Sequence, residues 1–282
     1  MSAVATIAET VKNAARTLDS HSDSPRLDAE LLLAKLLDLP RSALIARADQ
    51  SLDSQQERAY GELIRRRSNG TPVAYLTGSR EFWSLPLAVS PAVLVPRPET
   101  ECLLQQALNL LPSDFACSAL DVGTGSGAIA LALAHERPNW SITGIDVSPA
   151  ALEVAACNAR DLGLTQIRWL LSHWFEALAG ERFHIILANP PYIAAADPAL
   201  ENLKAEPALA LTPGPSGLEA LSAIVALAPA HLHLKGWLVL EHGISQAQDV
   251  ARLLEEHGFE SIRTHLDFSG RPRITLGVHT QH

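Results

Sequence analysis

Over the first 70 residues apolar positions recur at helical spacing. Val4, Ile7, Val11 and Leu18 fall roughly on one stripe. Ser24 then precedes Pro25, a helix-start pair with proline in the first turn, and Leu27, Leu31, Leu32 and Leu36 carry an apolar face to about Leu37. Ser54-Gln55-Gln56-Glu57 reads as a capping box opening a third helix. That helix runs into Arg65-Arg66-Arg67, whose charges suit the negative end of its dipole, and stops near Gly70.

The pattern then changes. Between residues 71 and 98, Val73, Tyr75 and Thr77 alternate, Gly78 offers a turn, and Phe82 to Val89 reads as extended. Prolines at 86, 91, 96 and 98 exclude a long helix, so the segment is expected to be a β-hairpin or extended connector. From residue 99 short apolar runs alternate with helical stretches. The expected order is helix 99–111, strand 118–122, helix 128–136, strand 141–146, helix 149–162, strand 167–172 and strand 184–188. After these come an insertion over 193–216, helix 217–232, strand 237–241, helix 245–257 and strands 259–265 and 273–279. Alternating strands and helices predict a mostly parallel sheet covered on both faces. The last two strands, joined by Ser269-Gly270-Arg271-Pro272, can pair antiparallel. The insertion is too long for a plain connector, which marks it as a candidate functional segment. The domain reading is therefore 1–70 helical, 71–98 connector and 99–282 catalytic α/β.

Composition narrows the class. Hydrophobic residues make up 47% of the 282, enough for a well-buried core. No apolar run approaches the roughly 20 residues that span a bilayer, and no secretory leader is visible, so a cytoplasmic protein without membrane contact is expected. Cys102, Cys117 and Cys157 lie far apart, form no Cys-x-x-Cys and read as free thiols of a reducing compartment. Residues 1–70 carry as many acids as lysines and arginines, so the whole net charge of −9 belongs to residues 71–282. A duplex-gripping surface is normally basic, which lowers the case for direct nucleic-acid binding.

Two segments carry chemistry. Asp121-Val122-Gly123-Thr124-Gly125-Ser126-Gly127 ends one strand and opens a helix. Glycines there permit unusual φ and remove the Cβ atoms that would hold a ligand away, while amides at the helix start favour an anionic group such as a methionine carboxylate. Asp146, at the tip of the next strand, can accept from both hydroxyls of a ribose. On these residues NAD and S-adenosyl-L-methionine are equally open, because Gly123-x-Gly125-x-x-Ala128 also fits the relaxed dinucleotide fingerprint. Asn189-Pro190-Pro191-Tyr192 decides between them. It follows the apolar run Ile185-Ile186-Leu187-Ala188. An amide or exocyclic nitrogen is a poor nucleophile. The Asn189 side-chain oxygen and the Pro190 carbonyl can accept from its two N–H groups. Successive prolines hold those acceptors stiffly, and Tyr192 offers a flat face for a planar amide or base. His231-x-His233 is expected in an apolar helix, without a third ligand nearby and hence without a metal. His242 is left without a role.

The glycine turn and Asn-Pro-Pro-Tyr together resemble the class I S-adenosylmethionine-dependent methyltransferases that modify a planar NH2 group. Val95-Pro96-Arg97-Pro98-Glu99-Thr100-Glu101, Tyr75-Leu76-Thr77-Gly78, Glu81-Phe82-Trp83 and Leu240-Glu241-His242-Gly243 extend the likeness over nearly the whole chain. They make it similar to the protein-(glutamine-N5) methyltransferases that modify class 1 peptide chain release factors. The resemblance implies a doubly wound, mostly parallel seven-stranded α/β sheet with a small N-terminal helical domain that helps hold the protein substrate. It also implies S-adenosyl-L-methionine as cofactor, the glutamine of a Gly-Gly-Gln motif as acceptor, and a monomer. By motif, Gly123, Thr124, Gly125, Ser126, Gly127 and Asp146 would bind the cofactor. Trp174 would pack beside adenine, and Asn189 would touch cofactor and acceptor. Asn189, Pro190, Pro191 and Tyr192 would hold the glutamine amide, with Asn189, Pro190 and Tyr192 catalytic. His173 departs from the pattern, standing where relatives commonly have an aspartate that accepts from the adenine amino group. The rival readings are an adenine-N6 methyltransferase using the same chemistry on a flipped base, a non-catalytic release-factor binding module and, weakest, an NAD-dependent oxidoreductase.

Overall fold

Thr6 and Asp53 each start a helix of the N-terminal region by the same device, a side-chain oxygen accepting from the first-turn amides. The structure, a computed structural model, describes residues 5–280, so Val4 of the first apolar stripe lies outside them. Five helices fill this part: α1 Ile7–Leu18, α2 Pro25–Leu36, α3 Arg41–Ala46, α4 Ser54–Ser68 and α5 Val73–Thr77. Their core is a cluster including Ile7, Val11, Leu18, Leu32, Leu33, Tyr60 and Ile64. The Tyr60 hydroxyl donates to the Ala29 carbonyl at 2.9 Å, and Arg67 pairs with Asp28 at 2.7 Å, so both side chains tie α4 to α2.

Three local expectations change. The capping box lies one residue earlier than Ser54: the Asp53 carboxylate accepts from the amides of Gln55 and Gln56, and Gln56 accepts from the Asp53 amide. A carboxylate can take two donors at once near the positive end of the helix. Ser24 caps α2 without a side-chain bond to its amides, its hydroxyl donating to Asp28 instead. Val73 to Thr77 is helical rather than extended. Pro72 precedes its first turn, and Gly78, at φ 79°, ends it in the left-handed conformation.

The described residues form two compact units, one running to Ser79 and including Asn202–Ala205, the other made of Arg80–Glu201 and the chain from Glu206 onward. Next in the chain, β1 Ser79–Phe82 and β2 Leu85–Ala88 form a hairpin. Its turn residues Trp83 and Ser84 both have positive φ, the mirror-image turn that matches strand twist. Then come α6 Pro98–Leu110, β3 Ser118–Val122, α7 Ala128–Glu136, β4 Ser141–Asp146, α8 Pro149–Asp161, β5 Arg168–Leu171 and β6 Phe183–Ala188. The chain closes with α9 Glu219–Leu227, β7 Leu232–Glu241, α10 Ala247–Glu256, β8 Phe259–Leu266 and β9 Pro272–His279. Helix α9 is shorter than the sequence pattern suggests. A 3-10 turn over Ala228–His231, containing Pro229, breaks it, and His233 lies on β7 rather than in a helix.

The seven strands lie in the order β5-β4-β3-β6-β7-β9-β8, with β9 antiparallel to both neighbours and the other pairings parallel. Alternation along the central strands feeds two cores. Ala119, Ile185 and Leu187 face a cluster with Leu103, Leu104, Ile129 and Leu133 of α6 and α7. Leu120, Ile186 and Ala188 face one with Leu221, Ile224, Val250 and Leu254 of α9 and α10. Burial on both faces is why these strands are apolar without interruption. Edge strand β5 has four residues, and its Arg168 is ion-paired with Glu181. Edge strand β8 shifts register between Glu260 and Arg263, where Ser261 has φ 52°. Among the described residues, no helix is long and apolar enough to cross a membrane.

Candidate active site

Strand β3 pairs with β4 on one side and β6 on the other, which brings the carboxyl ends of all three together. The chain direction of the sheet connections reverses around β3, the place where open α/β sheets form a crevice. A cavity of about 450 Å³ lies there. Gly123, Thr124, Gly125 and Ser126 after β3, Asp146 after β4, Trp174 after β5, and Asn189, Pro190 and Pro191 after β6 all line it. Gly127 and Tyr192 do not line it.

The glycine loop spends most of its amides on its own shape. Gly123 and Thr124 donate to the Ile145 carbonyl, Gly125 donates to Asp146 Oδ2 at 2.9 Å, and Gly127 donates to the Thr124 carbonyl. The amide cradle is thus narrower than the sequence suggests, because closing the loop onto β4 uses the same donors. Asn158 of α8 holds the loop from below, donating to the Ser126 and Ala88 carbonyls. Gly127 serves packing: a Cβ there would meet Leu131 Cδ1 at 3.0 Å, Trp169 Cη2 at 3.1 Å and Ala155 Cβ at 3.2 Å. Gly123 is different. It lines the cavity, has φ 73°, and an added Cβ would meet nothing within 4 Å.

A buried acid, Asp121, and a half-buried one, Asp146, flank the loop. Asp121 Oδ2 accepts from Thr124 Oγ1 and the Ala130 amide, while its buried Oδ1 has no hydrogen-bond partner. Burial pushes its carboxyl up to about 7, against the pull of those two donors. Asp146 accepts from the Gly125 and Ser148 amides, one on each oxygen, and burial raises it from the ordinary value despite them. Each oxygen keeps a second lone pair for a further donor.

On the acceptor side, Asn189 Nδ2 donates to Thr100 Oγ1 at 2.9 Å, and Thr100 Oγ1 donates to Glu241 Oε2 at 2.7 Å. The Tyr192 hydroxyl donates to Glu241 Oε1 at 3.1 Å. Glu241 is fully buried, and burial pushes it up to about 7 against these hydroxyls and Arg273. Burial and the Glu241 charge raise Tyr192, which keeps its hydroxyl a donor. Sequence reasoning did not single out Thr100 or Glu241, although both sit in segments that carry the family resemblance. Their signal is polarity at positions flanked by apolar or helix-starting residues.

The rest of the wall comes from the insertion and the segment before α6. Glu206 accepts from the Val95 amide at 3.0 Å and from Arg97. Its side chain is 2% exposed, and Pro207, Leu209, Ala210, Thr212 and Pro213 beyond it line the cavity with Arg97. Trp174 is half-buried at φ 48°, in a loop tied by Ser172, which donates to the Trp174 carbonyl and accepts from the Ala177 amide. His173 lines the cavity, is exposed, and has Nδ1 3.2 Å from Glu176. His242 is buried and bonds through Nε2 to Thr275 and through Nδ1 to the Gly243 carbonyl, so it ties strand ends together. His231 stacks on Phe175, His233 lies against His184, and no metal-binding group of side chains occurs among the described residues.

Comparison with known proteins agrees with this layout. Residues 9–78 match the family model "PrmC N-terminal domain", and residues 100–218 match "Methyltransferase small domain". Among solved structures, a Thermus thermophilus 16S rRNA N2 G1207 methyltransferase, in complex with AdoMet and guanosine, superposes with a TM-score of 0.54 at 20% identity. The match covers 72% of this chain and 50% of that one. It shows the class I methyltransferase fold. The release factor glutamine methyltransferase of Salmonella typhimurium is 45% identical over 92% of this chain and 94% of its own. That of Pseudomonas aeruginosa is 47% identical over 91% and 93%. Identity at that level along almost the whole length, with both motif loops at adjoining strand ends of one cavity, means that this chain belongs to the release factor glutamine methyltransferase family.

Proposed function

We propose that this enzyme transfers a methyl group from S-adenosyl-L-methionine to the side-chain amide nitrogen of the glutamine in the Gly-Gly-Gln motif of a class 1 peptide chain release factor. The observation that carries the reading is the shared cavity: the glycine loop and the Asn189 carboxamide line the same walls. Its volume of about 450 Å³ suits a nucleoside-sized ligand.

The residues fit that cofactor. Gly123 leaves open the space a Cβ would fill, so backbone and ligand can approach closely. Asp146 retains lone pairs for ribose hydroxyls. Trp174, Ile129, Ile145 and Val147 offer apolar surface to adenine. S-adenosylmethionine supplies an electrophilic methyl carbon on a positively charged sulfur. The chain's own part is to aim the acceptor. Asn189 Oδ1 and the Pro190 carbonyl would accept the two amide hydrogens, leaving the nitrogen lone pair free to meet the methyl carbon. Positioning is the main catalytic contribution. The extra proton leaves the nitrogen after the new bond forms, so no strong general base is required. Tyr192, whose hydroxyl is engaged by Glu241, shapes the acceptor strand end.

In the same reading, residues 1–70 hold the protein substrate, 71–98 connect, and 99–282 carry the chemistry. Three free thiols suit the cytoplasm. Transfer from methyl-labelled cofactor tests the reading with intact release factor, a version lacking the motif glutamine, and DNA. Label on intact factor alone supports it. Label on DNA would favour the adenine-N6 alternative, and label on the glutamine-less factor would move the acceptor elsewhere.

A further inference from the structure

A carboxamide has two ends of nearly equal shape and opposite hydrogen-bonding sense. If Asn189 presented its NH2 to the reacting amide, two donors would face each other and the acceptor would be repelled. Something must therefore decide which end points where. The neighbouring bonds do so through the number of protons available. A threonine hydroxyl has one proton to give. That of Thr100 goes to Glu241 Oε2 at 2.7 Å. The proton in that bond is the threonine's, because in its ionised form Glu241 only accepts. Its other oxygen already receives the Tyr192 hydroxyl at 3.1 Å. Both hydroxyls and the Arg273 charge pull Glu241 towards that ionised form, against burial, which pushes it the other way. Thr100 Oγ1 is then left with acceptor capacity only. The group it can take from Asn189 is the NH2, and the contact is Nδ2 to Oγ1 at 2.9 Å.

We propose that Thr100 and Glu241 are positioning residues that set the polarity of the Asn189 carboxamide: Glu241 takes the Thr100 proton, Thr100 holds the Asn189 NH2, and Asn189 Oδ1 is left to accept from the substrate amide. The inference rests on the reading of Asn189 as an acceptor-binding residue. Neither Thr100 nor Glu241 exchanges a proton or bond with the substrate in this arrangement. The pair comes from distant parts of the chain, the start of α6 and the end of β7, and both are buried, with Thr100 5% and Glu241 0% exposed. A buried, unpaired carboxylate is costly, so a glutamate kept there straight after the apolar run Trp237-Leu238-Val239-Leu240 calls for partners of this kind.

The test compares Thr100→Val, which keeps the shape and removes the hydroxyl, with Thr100→Ser, which keeps the hydroxyl. Asn189→Ala is measured in parallel. Turnover and the Michaelis constant are measured with intact release factor, cofactor affinity by calorimetry, and folding by thermal melting. Thr100→Val is expected to lower kcat about 100-fold, the scale of a misplaced reacting group, with cofactor Kd within about twofold. Thr100→Ser is expected to recover most of that loss. The proposal is overturned if Thr100→Val keeps its turnover, if serine is as slow as valine, or if cofactor affinity falls in step with kcat. Where Thr100→Val does not fold, Thr100→Ala replaces it. If neither folds while serine does, the hydroxyl serves stability and the proposal fails. The underlying reading fails separately: Asn189→Ala would then turn over normally, whatever Thr100 does.

Discussion

Replacing Gly127 with alanine separates the two jobs of the glycine loop. The residue has φ 84°, and its Cβ would lie 3.0–3.2 Å from Leu131, Trp169 and Ala155. A non-glycine residue in the left-handed region costs about 1–2 kcal/mol. Forcing a methyl into a packed core costs about 1–3 kcal/mol more. The sum, about 2–5 kcal/mol, lowers the melting temperature of a unit this size by roughly 5–15 °C. The indole of Trp169 cannot retreat cheaply, since its ring also closes over Gly144. Gly123→Ala is the control. Its Cβ meets nothing, so only the backbone penalty of about 1–2 kcal/mol applies, but the methyl sits on the cavity wall. Differential scanning fluorimetry and cofactor titration well below the transition read both. Gly127→Ala should melt earliest and bind cofactor normally, whereas Gly123→Ala should lose clearly less in melting temperature and bind poorly. The reverse pattern, or a Gly127→Ala protein that melts like the parent, would refute the division of labour.

Three other outcomes are expected. Asp146→Ala should raise the cofactor Kd at least about tenfold, since a hydrogen bond to a charged group is worth about 1.5–3 kcal/mol; calorimetry showing equal affinity would exclude the ribose role. Glu206→Ala strips the Val95 amide and Arg97 of their shared acceptor, so amide exchange across 207–213 should speed up and the Michaelis constant for release factor should rise. Asp121 titrates near 7 in the folded chain against an ordinary 3.8, so the folded state holds the proton more tightly. Its contribution to stability is complete below the unfolded value and lost as pH rises through about 7. Asp121→Asn should flatten that decline in pH-dependent melting, the remaining slope belonging to Glu241 and Asp146, which are shifted in the same direction. An unchanged slope would show that Asp121 is not the titrating group.

The strands around the cavity were legible because burial on both faces leaves unbroken apolar runs ended by glycine, aspartate or asparagine. Strand β3, helix α7 and strand β4 lie where the sequence places them, to the residue. Val73 to Thr77 misled because alternation over five residues is also compatible with one helical turn and a half, and the deciding groups, Pro72 and Gly78, lie outside it. Helix α9 read too long because Ala228 to His231 is apolar at either period. The Thr100–Glu241 bond joins residues 141 positions apart, and no local pattern encodes a pairing formed only by folding. Gly127 belonged to a glycine-rich string, and nothing in that string says which glycine faces a ligand and which faces a tryptophan.

The two outermost strands have a bearing on solubility. An open sheet of this width exposes two rows of unpaired amides and carbonyls, each a template on which a second molecule can add. One margin is only four residues long and carries a charged arginine. The other is bent by a bulge at Ser261 among Glu260 and Arg263. Short length, charge and irregular register all discourage such addition. Substitutions that straighten the bulge and neutralise those charges would therefore turn the far margin into a seed for self-association.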